Sequence, residues 1–214
     1  MGGDHSPDAT LNGAYLASQY LGDEETIVLV GDEKLAKSWF KSNNIDTSVF
    51  EFIHADEVIS MNEHATKALR KKPNNSISVG FNALKNKEID VFSSAGNSGA
   101  MLVGSMFSIG PIKGVIRPSI TSVLPKKNGG VGLILDVGVN ADCKPDVLFQ
   151  FAILGSLFAE NVYNIQKPKV GLLNIGEEKG KGNLLTQSTF QLLEDNDDIN
   201  FVGNVEGRDL FNDK

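Results

Sequence analysis

Residues 131–174 read VGLILDVGVNADCKPDVLFQFAILGSLFAENVYNIQKPKVGLLN, and this stretch decides the fold. Val131–Asp136 is a short apolar run, Pro145–Asn161 a long apolar segment opened by a proline, and Lys169–Asn174 a second short apolar run. Two strand-length runs around a helix-length segment read as a βαβ unit, the building block of a mostly parallel sheet. LILD and GLLN are continuously apolar rather than alternating, as in a sheet covered on both faces. Working outward, Thr26–Val30, Ser48–Ile53, Asp90–Ser94, Ser119–Leu124 and Ile199–Val202 read as further strands. Asp32–Phe40, Asn75–Lys85, Ser98–Ser108 and Asn183–Glu194 read as helices, and Ser6-Pro7-Asp8 starts another. Pro125–Gly130 (PKKNGG) reads as a tight turn between neighbouring strands or as a loop over a site. The expected class is therefore α/β with a mostly parallel sheet.

Composition narrows the function. The 214 residues are 41% hydrophobic and 22% charged, which excludes a disordered or collagen-like chain. Twenty Lys and Arg against 27 Asp and Glu leave a formal charge of −7, a poor starting point for non-specific nucleic-acid binding. A single cysteine, Cys143, permits no internal disulfide and no cysteine-based metal cluster, which points to a reducing cytoplasm. There is no apolar run of the ~18 residues a membrane span needs. The Met-Gly-Gly-Asp-His start has neither the basic nor the apolar region of a secretory signal.

In an open parallel sheet ligands bind beyond the carboxyl ends of the strands, so the residues after each strand carry the chemistry. Four such junctions share a composition of Gly, Asn, Asp and a little Lys. In the first, Gly96, Asn97, Ser98 and Gly99 lead into a helix, where free N–H groups and the helix dipole favour an anion, or where Asn97 simply caps. In the second, Asp136, Asn140, Asp142 and Lys144 crowd before the helix that Pro145 opens. Cys143 beside them has the look of a small packing residue rather than a nucleophile. The third, Asn174–Asn183, holds Glu177 and Lys181 in a Gly/Lys loop that departs from the Walker pattern, with too few residues before Gly180 and Gly182 where Ser or Thr would hold magnesium. The fourth offers Asn204, Glu206 and Arg208, whose guanidinium suits a phosphate. Gly3, Asp4 and His5 form a glycine turn whose imidazole suits proton transfer near neutral pH. Arg70-Lys71-Lys72 reads as a solvated face or a patch for an acidic partner.

The pieces MGGDHSPDA (1–9), SAGNSGAML (94–102), GVIRPSI (114–120), LDVGVNADCKP (135–145), VGLLNIGEEKGKGN (170–183) and NFVGNVEGRDLF (200–211) together resemble the phosphate acyltransferase, or PlsX, family of bacterial phospholipid synthesis. The resemblance runs in order along essentially the whole chain. It implies a three-layer α/β/α sandwich similar to phosphotransacetylase and the isocitrate/isopropylmalate dehydrogenases. It also implies transfer of a fatty acyl group from acyl-[acyl-carrier-protein] to inorganic phosphate, a homodimer, and a functional link to a membrane glycerol-3-phosphate acyltransferase. Family chains begin with a strand before the Met-Gly-Gly-Asp-His turn and continue well past Phe211. Residues 1–214 are accordingly expected to be a single-domain fragment lacking the first strand and a C-terminal part, the part that would make peripheral membrane contact.

Phosphate is itself the nucleophile in that reaction, so no Ser-His-Asp set is required, and no metal or cofactor is implied. Backbone N–H groups of Gly96–Gly99 are expected to hold phosphate, Lys144 and Lys181 to neutralise it, and Asn140, Asn174 or Asn204 to donate to the oxyanion. His5 is expected to protonate the leaving sulfur. Lys126-Lys127 joins Arg70-Lys71-Lys72 as a surface for the acidic carrier protein. Three other readings stay open: transfer from acyl-coenzyme A, a dehydrogenase (though no G-x-G-x-x-G follows a strand), and a phosphate- or acyl-binding domain without turnover.

Overall fold

A computed structural model describes residues 1–212, and the chain divides into two compact units, Met1–Gly110 and Pro111–Lys214. In the first, α1 (Asp8–Ser18), β1 (Ile27–Gly31), α2 (Glu33–Ser42), β2 (Phe50–His54), α3 (Ala65–Lys71), α4 (Ser76–Lys85) and α5 (Ser98–Ser108) follow in order. β1 and β2 pair in parallel, Ile27 opposite Phe50 and Gly31 opposite His54. In the second, β3 (Thr121–Pro125), β4 (Val131–Leu135), α6 (Pro145–Tyr163), β5 (Lys169–Leu173), α7 (Leu184–Glu194), β6 (Asn200–Val205) and a 3₁₀ turn at Gly207–Asp209 follow. β5 and β6 pair in parallel, whereas β3 and β4 form an antiparallel hairpin. The α/β class with mostly parallel pairing is thus as expected. Among the described residues no helix is long and apolar enough to cross a membrane.

Helix starts follow local chemistry. Four of the first N–H groups in any helix lack an intrahelical acceptor, and Asn or Asp at the cap supplies one. Asp32 accepts from Leu35 N at 3.0 Å, Asn97 from Ala100 N at 2.9 Å and Asn183 from Thr186 N at 3.0 Å. Asn75, fully buried, accepts from Ile77 N and Ser78 N, both at 2.9 Å, and donates to Lys72 O and Ser78 Oγ. Pro145 sits in the first turn of α6, where its missing N–H costs nothing. The 125–130 segment is the turn of the β3–β4 hairpin, with Gly129 and Gly130 at φ +87° and +85°, values side chains resist.

Two small cores hold the first unit. Phe40 and Phe50 stack at 4.8 Å among Leu11, Leu29 and Ala36, and Trp39 Nε1 donates to Asp8 Oδ1 at 2.6 Å, tying α2 to α1. Phe81 meets Phe92 edge-on at 5.0 Å beside Ile59, Ala68, Ile77 and Ala100. In the second unit α6 lies on β4 so closely that a Cβ on Gly155 would come within 3.0 Å of Leu135 Cδ1.

Two sequence expectations are corrected. Asp90–Ser94 is not a strand, because it has no ladder partner among the described residues; its Phe92 is used for packing instead. Helix α3 was not expected, being only seven residues long with Ala68 as its single buried side chain. Asn75→Ala removes a cap and leaves buried N–H groups unpaired, so stability should fall by about 2 kcal/mol. The measurement is the urea midpoint at unchanged m-value; an unmoved midpoint contradicts the capping role.

Candidate functional site

The strand-end loops are built by side chains that reach back to the backbone. At the end of β4, Asp136 Oδ1 accepts from Ile120 N at 2.8 Å, and Oδ2 accepts from Asn140 N at 2.7 Å and Val139 N at 3.1 Å. Asn140 Nδ2 donates to Pro118 O at 2.9 Å and lies 3.3 Å from Asp136 Oδ2. Burial pushes the Asp136 pKa up, but the N–H donors from Asn140, Ile120 and Val139 outweigh it and hold the carboxyl below its ordinary value. Arg117 Nη1 donates to Asp142 O at 2.8 Å, so the 117–120 segment is bound to the loop at both ends. Lys144 is exposed at the cap of α6, and its ammonium has no partner among the described residues. Burial raises the Cys143 pKa; Arg117 opposes this, while Asp136 and Asp142 reinforce it, so the thiol is not activated.

The ends of β5 and β6 form a second constellation. Asn174 N extends the ladder to Val205 O at 2.8 Å. Its side-chain Nδ2 donates to Lys181 O at 3.1 Å and to Asn204 Oδ1 at 3.2 Å, while its Oδ1 accepts from Ile175 N at 2.8 Å. Asn204, 3% exposed, donates to Glu178 O at 2.9 Å. Gln187 of α7 donates to Gly180 O and Gly182 O. The 174–183 loop is therefore pinned from β6 below and from α7 behind. Arg208 Nη2 is paired with Glu206 at 2.9 Å and Glu177 at 3.3 Å, so an incoming anion competes with two carboxylates. Lys181 is exposed, with Glu178 at 3.9 Å.

In the first unit the Met1–His5 turn lies against the loop before α5. A Cβ on Gly3 (φ +128°) would stand 3.3 Å from Ala95 O, and one on Gly2 would stand 3.6 Å from Gly96 Cα. Asp4 and His5 are exposed, and the His5 imidazole bonds no described residue. Asn97 is buried and committed: besides capping α5, its Nδ2 lies 3.0–3.1 Å from the carbonyls of Ser60, Met61 and Glu63. Ser98 is exposed and Gly99 half-buried at the first turn of α5.

The structure thus groups Asp136, Asn140, Asp142 and Lys144 at one strand end. It groups Asn174, Glu177, Lys181, Asn183, Asn204, Glu206 and Arg208 at another, and in the first unit sets Gly3 against Ala95 and Gly2 against Gly96. Arg117, Gln150 and Gln187 went unread. Gln150 of α6 accepts from Ile116 N at 2.8 Å and donates to Gly114 O at 2.9 Å. Arg117 was legible in principle, because an antiparallel hairpin puts the start of β3 beside the end of β4.

Asp136→Ala should destabilise the protein by roughly 2–3 kcal/mol at pH 7, the range for hydrogen bonds to a charged group. A depressed carboxyl stabilises above its ordinary pKa, and that contribution is lost as pH falls through the depressed value. The gap between the two proteins should therefore narrow as pH falls below about 4. A gap equally wide at pH 6 and at pH 2 contradicts this.

Comparison with known proteins is consistent across the chain. The family model described as "Fatty acid synthesis protein" matches residues 1–214. The phosphate acyltransferase of Dictyoglomus thermophilum is 44% identical over 211 residues, covering 99% of this chain and 62% of that protein. That of Halothermothrix orenii is 46% identical over 213 residues, covering 99% and 63%. That of Gloeothece citriformis is 45% identical over 212 residues, covering 99% and 60%. The chain therefore spans about three fifths of the length of the curated relatives it matches. Among solved structures, the EutD phosphotransacetylase from Staphylococcus aureus superposes with a TM-score of 0.59 at 15% identity, over 92% of this chain and 66% of that one. The fold is that of the phosphotransacetylase kind, as expected. With the family model matched from end to end, the chain belongs to the fatty acid synthesis protein family, that of the phosphate acyltransferases its junction motifs resemble.

Proposed function

We propose that this chain carries the site at which a fatty acyl group passes from the thioester of acyl-[acyl-carrier-protein] to inorganic phosphate. The observation that carries the reading is the pair of loops after β4 and β5, braced by side-chain hydrogen bonds, which present exposed Lys144 and Lys181. The names of the relatives support it. A phosphate oxygen attacks the thioester carbonyl and forms a tetrahedral oxyanion. Collapse breaks the C–S bond, releasing acyl phosphate and a thiolate that takes up a proton.

Each group has a task in this scheme. The two lysines screen the charge of phosphate as it nears the carbonyl, and N–H groups at Asn97–Gly99 offer a further anion cradle in the first unit, the Gly96 N–H being taken by Ser94 Oγ at 3.1 Å. Asn140, Asn174 and Asn204 act as positioning residues, since their amides are already bonded to the loops they hold. Holding nucleophile and carbonyl in register supplies a large share of the rate. Exposed Arg70 and Lys71 in the last turn of α3 suit an acidic carrier protein; Lys72 instead bonds Glu63 and Val58 O, both at 2.7 Å. The same reading includes a homodimer, a cytoplasmic enzyme with peripheral membrane contact through the further length its relatives have, and hand-over of acyl phosphate to a membrane glycerol-3-phosphate acyltransferase.

The test is phosphate-dependent release of carrier thiol from a long-chain acyl-carrier protein, with acyl phosphate trapped as the hydroxamate. It is run on the chain and on a form extended to the relatives' length. Release that requires phosphate is expected; equal release from acyl-coenzyme A, or none from either form, contradicts the reading. Lys144→Ala should raise the KM for phosphate about 10- to 100-fold, the cost of losing a charge-assisted hydrogen bond; unchanged kinetics remove Lys144 from the site. Arg70→Glu with Lys71→Glu should weaken the apparent affinity for acyl-carrier protein, steeply so at low salt, and leave the KM for phosphate unmoved.

A further inference from the structure

Lys72 ends the Arg70-Lys71-Lys72 run, but its charge is spent differently from that of its neighbours. Arg70 and Lys71 are exposed, whereas Lys72, the C-terminal cap of α3, donates from Nζ to Glu63 Oε2 and to Val58 O, both at 2.7 Å. The same Glu63 oxygen accepts from Ser60 N at 2.7 Å, and the carbonyl of Lys72 accepts from the buried Asn75. Loop 58–63 is thus gripped from α3. It is gripped from α5 as well, because Asn97 Nδ2 lies 3.0–3.1 Å from the carbonyls of Ser60, Met61 and Glu63 while Asn97 Oδ1 caps the helix. Apolar packing does little to fix the loop's path, since Ile59 is its single buried side chain. Two glycine-rich pieces of the chain rest on this frame. A Cβ on Gly2 would stand 3.4 Å from Ile59 O, and one on Gly99 3.4 Å from Cβ of Ala65, the first residue of α3.

We propose that Lys72 is a positioning residue for phosphate, acting through loop 58–63 and Asn97 on the first turn of α5. The inference rests on the acyl-transfer reading, in which the N–H groups of that turn cradle the anion. Lys72 itself touches no substrate. Its ammonium sets the loop, the loop's carbonyls set the Asn97 amide, and Asn97 sets the start of the helix. The three adjacent cations therefore divide their work, Arg70 and Lys71 facing the carrier protein and Lys72 serving the anion. About a third of each side chain of the Lys72–Glu63 pair is open to water, and so exposed a pair adds little stability. What it fixes is where the loop lies, and a displacement of ~1 Å at a reacting group can cost ~100-fold in rate.

Lys72→Met keeps the apolar stem and removes the charge. In the thiol-release assay its KM for phosphate should rise roughly 10-fold with the KM for acyl-carrier protein unchanged, the reverse of the Arg70→Glu, Lys71→Glu protein. Lys72→Arg should recover most of the loss. Glu63→Gln should reproduce the defect, and combining it with Lys72→Met should add nothing to the larger single effect. Should Lys72→Met fail to fold, Glu63→Gln carries the comparison. Protection by inorganic phosphate against thermal unfolding, at constant ionic strength, gives a readout without turnover; Lys72→Met should need roughly 10-fold more phosphate for the same rise in Tm. An unchanged phosphate requirement overturns the proposal, even if Tm without phosphate falls. A raised KM for carrier protein makes Lys72 a docking residue and equally overturns it. So does phosphate protection of neither protein, which leaves no cradle to position. The acyl-transfer reading is judged separately, by phosphate-dependent release from the unsubstituted protein.

Discussion

A chain leaving the end of a strand carries backbone groups that no longer have a ladder partner, and everything else in this structure depends on how those groups are satisfied. The solution recurs. Asp136 gathers three N–H groups at the end of β4, and Asn174 and Asn204 bond each other and two carbonyls at the ends of β5 and β6; at the start of α5, where no strand leads in among the described residues, Asn97 does the same for the carbonyls of Ser60, Met61 and Glu63. Each is a short side chain whose amide or carboxylate can mimic a backbone partner. The paths of these loops are thus set by side-chain hydrogen bonds to the backbone rather than by a large core beneath them.

The division of labour between side chains follows. Asparagines that look like oxyanion donors spend their hydrogen bonds on loop geometry, while the lysines between them stay exposed. Arg208 is the exception, since its charge is shared with Glu177 and Glu206. An anion arriving there meets a site already balanced, whereas at Lys144 it meets a cation with no partner among the described residues.

How far the sequence could be read follows from the range of each interaction. Helices α2, α4, α5 and α7 were legible because Asp32, Asn75, Asn97 and Asn183 announce their starts within three residues. The hairpin turn was legible from its glycines. Phe92 was misread as part of a strand because an apolar run looks alike whether it pairs or packs. Arg117 was missed because its importance comes from the antiparallel pairing of β3 with β4, 25 residues from its partner Asp142. Likewise nothing local to Asn97 reveals that its acceptors sit 34–37 residues earlier. The candidate residues were found by composition at strand ends; which of them brace the loops needed the fold.

The claim at the centre of the account is that phosphate itself attacks the acyl carbon. The most direct measurement supplies phosphate labelled with ¹⁸O at all positions, with acyl-carrier protein as donor, and weighs the product by mass spectrometry. The account predicts acyl phosphate that retains the full phosphate label, its bridging oxygen included. Release of unlabelled fatty acid with no labelled acyl phosphate at any time would show that water, not phosphate, is the nucleophile, and would contradict it.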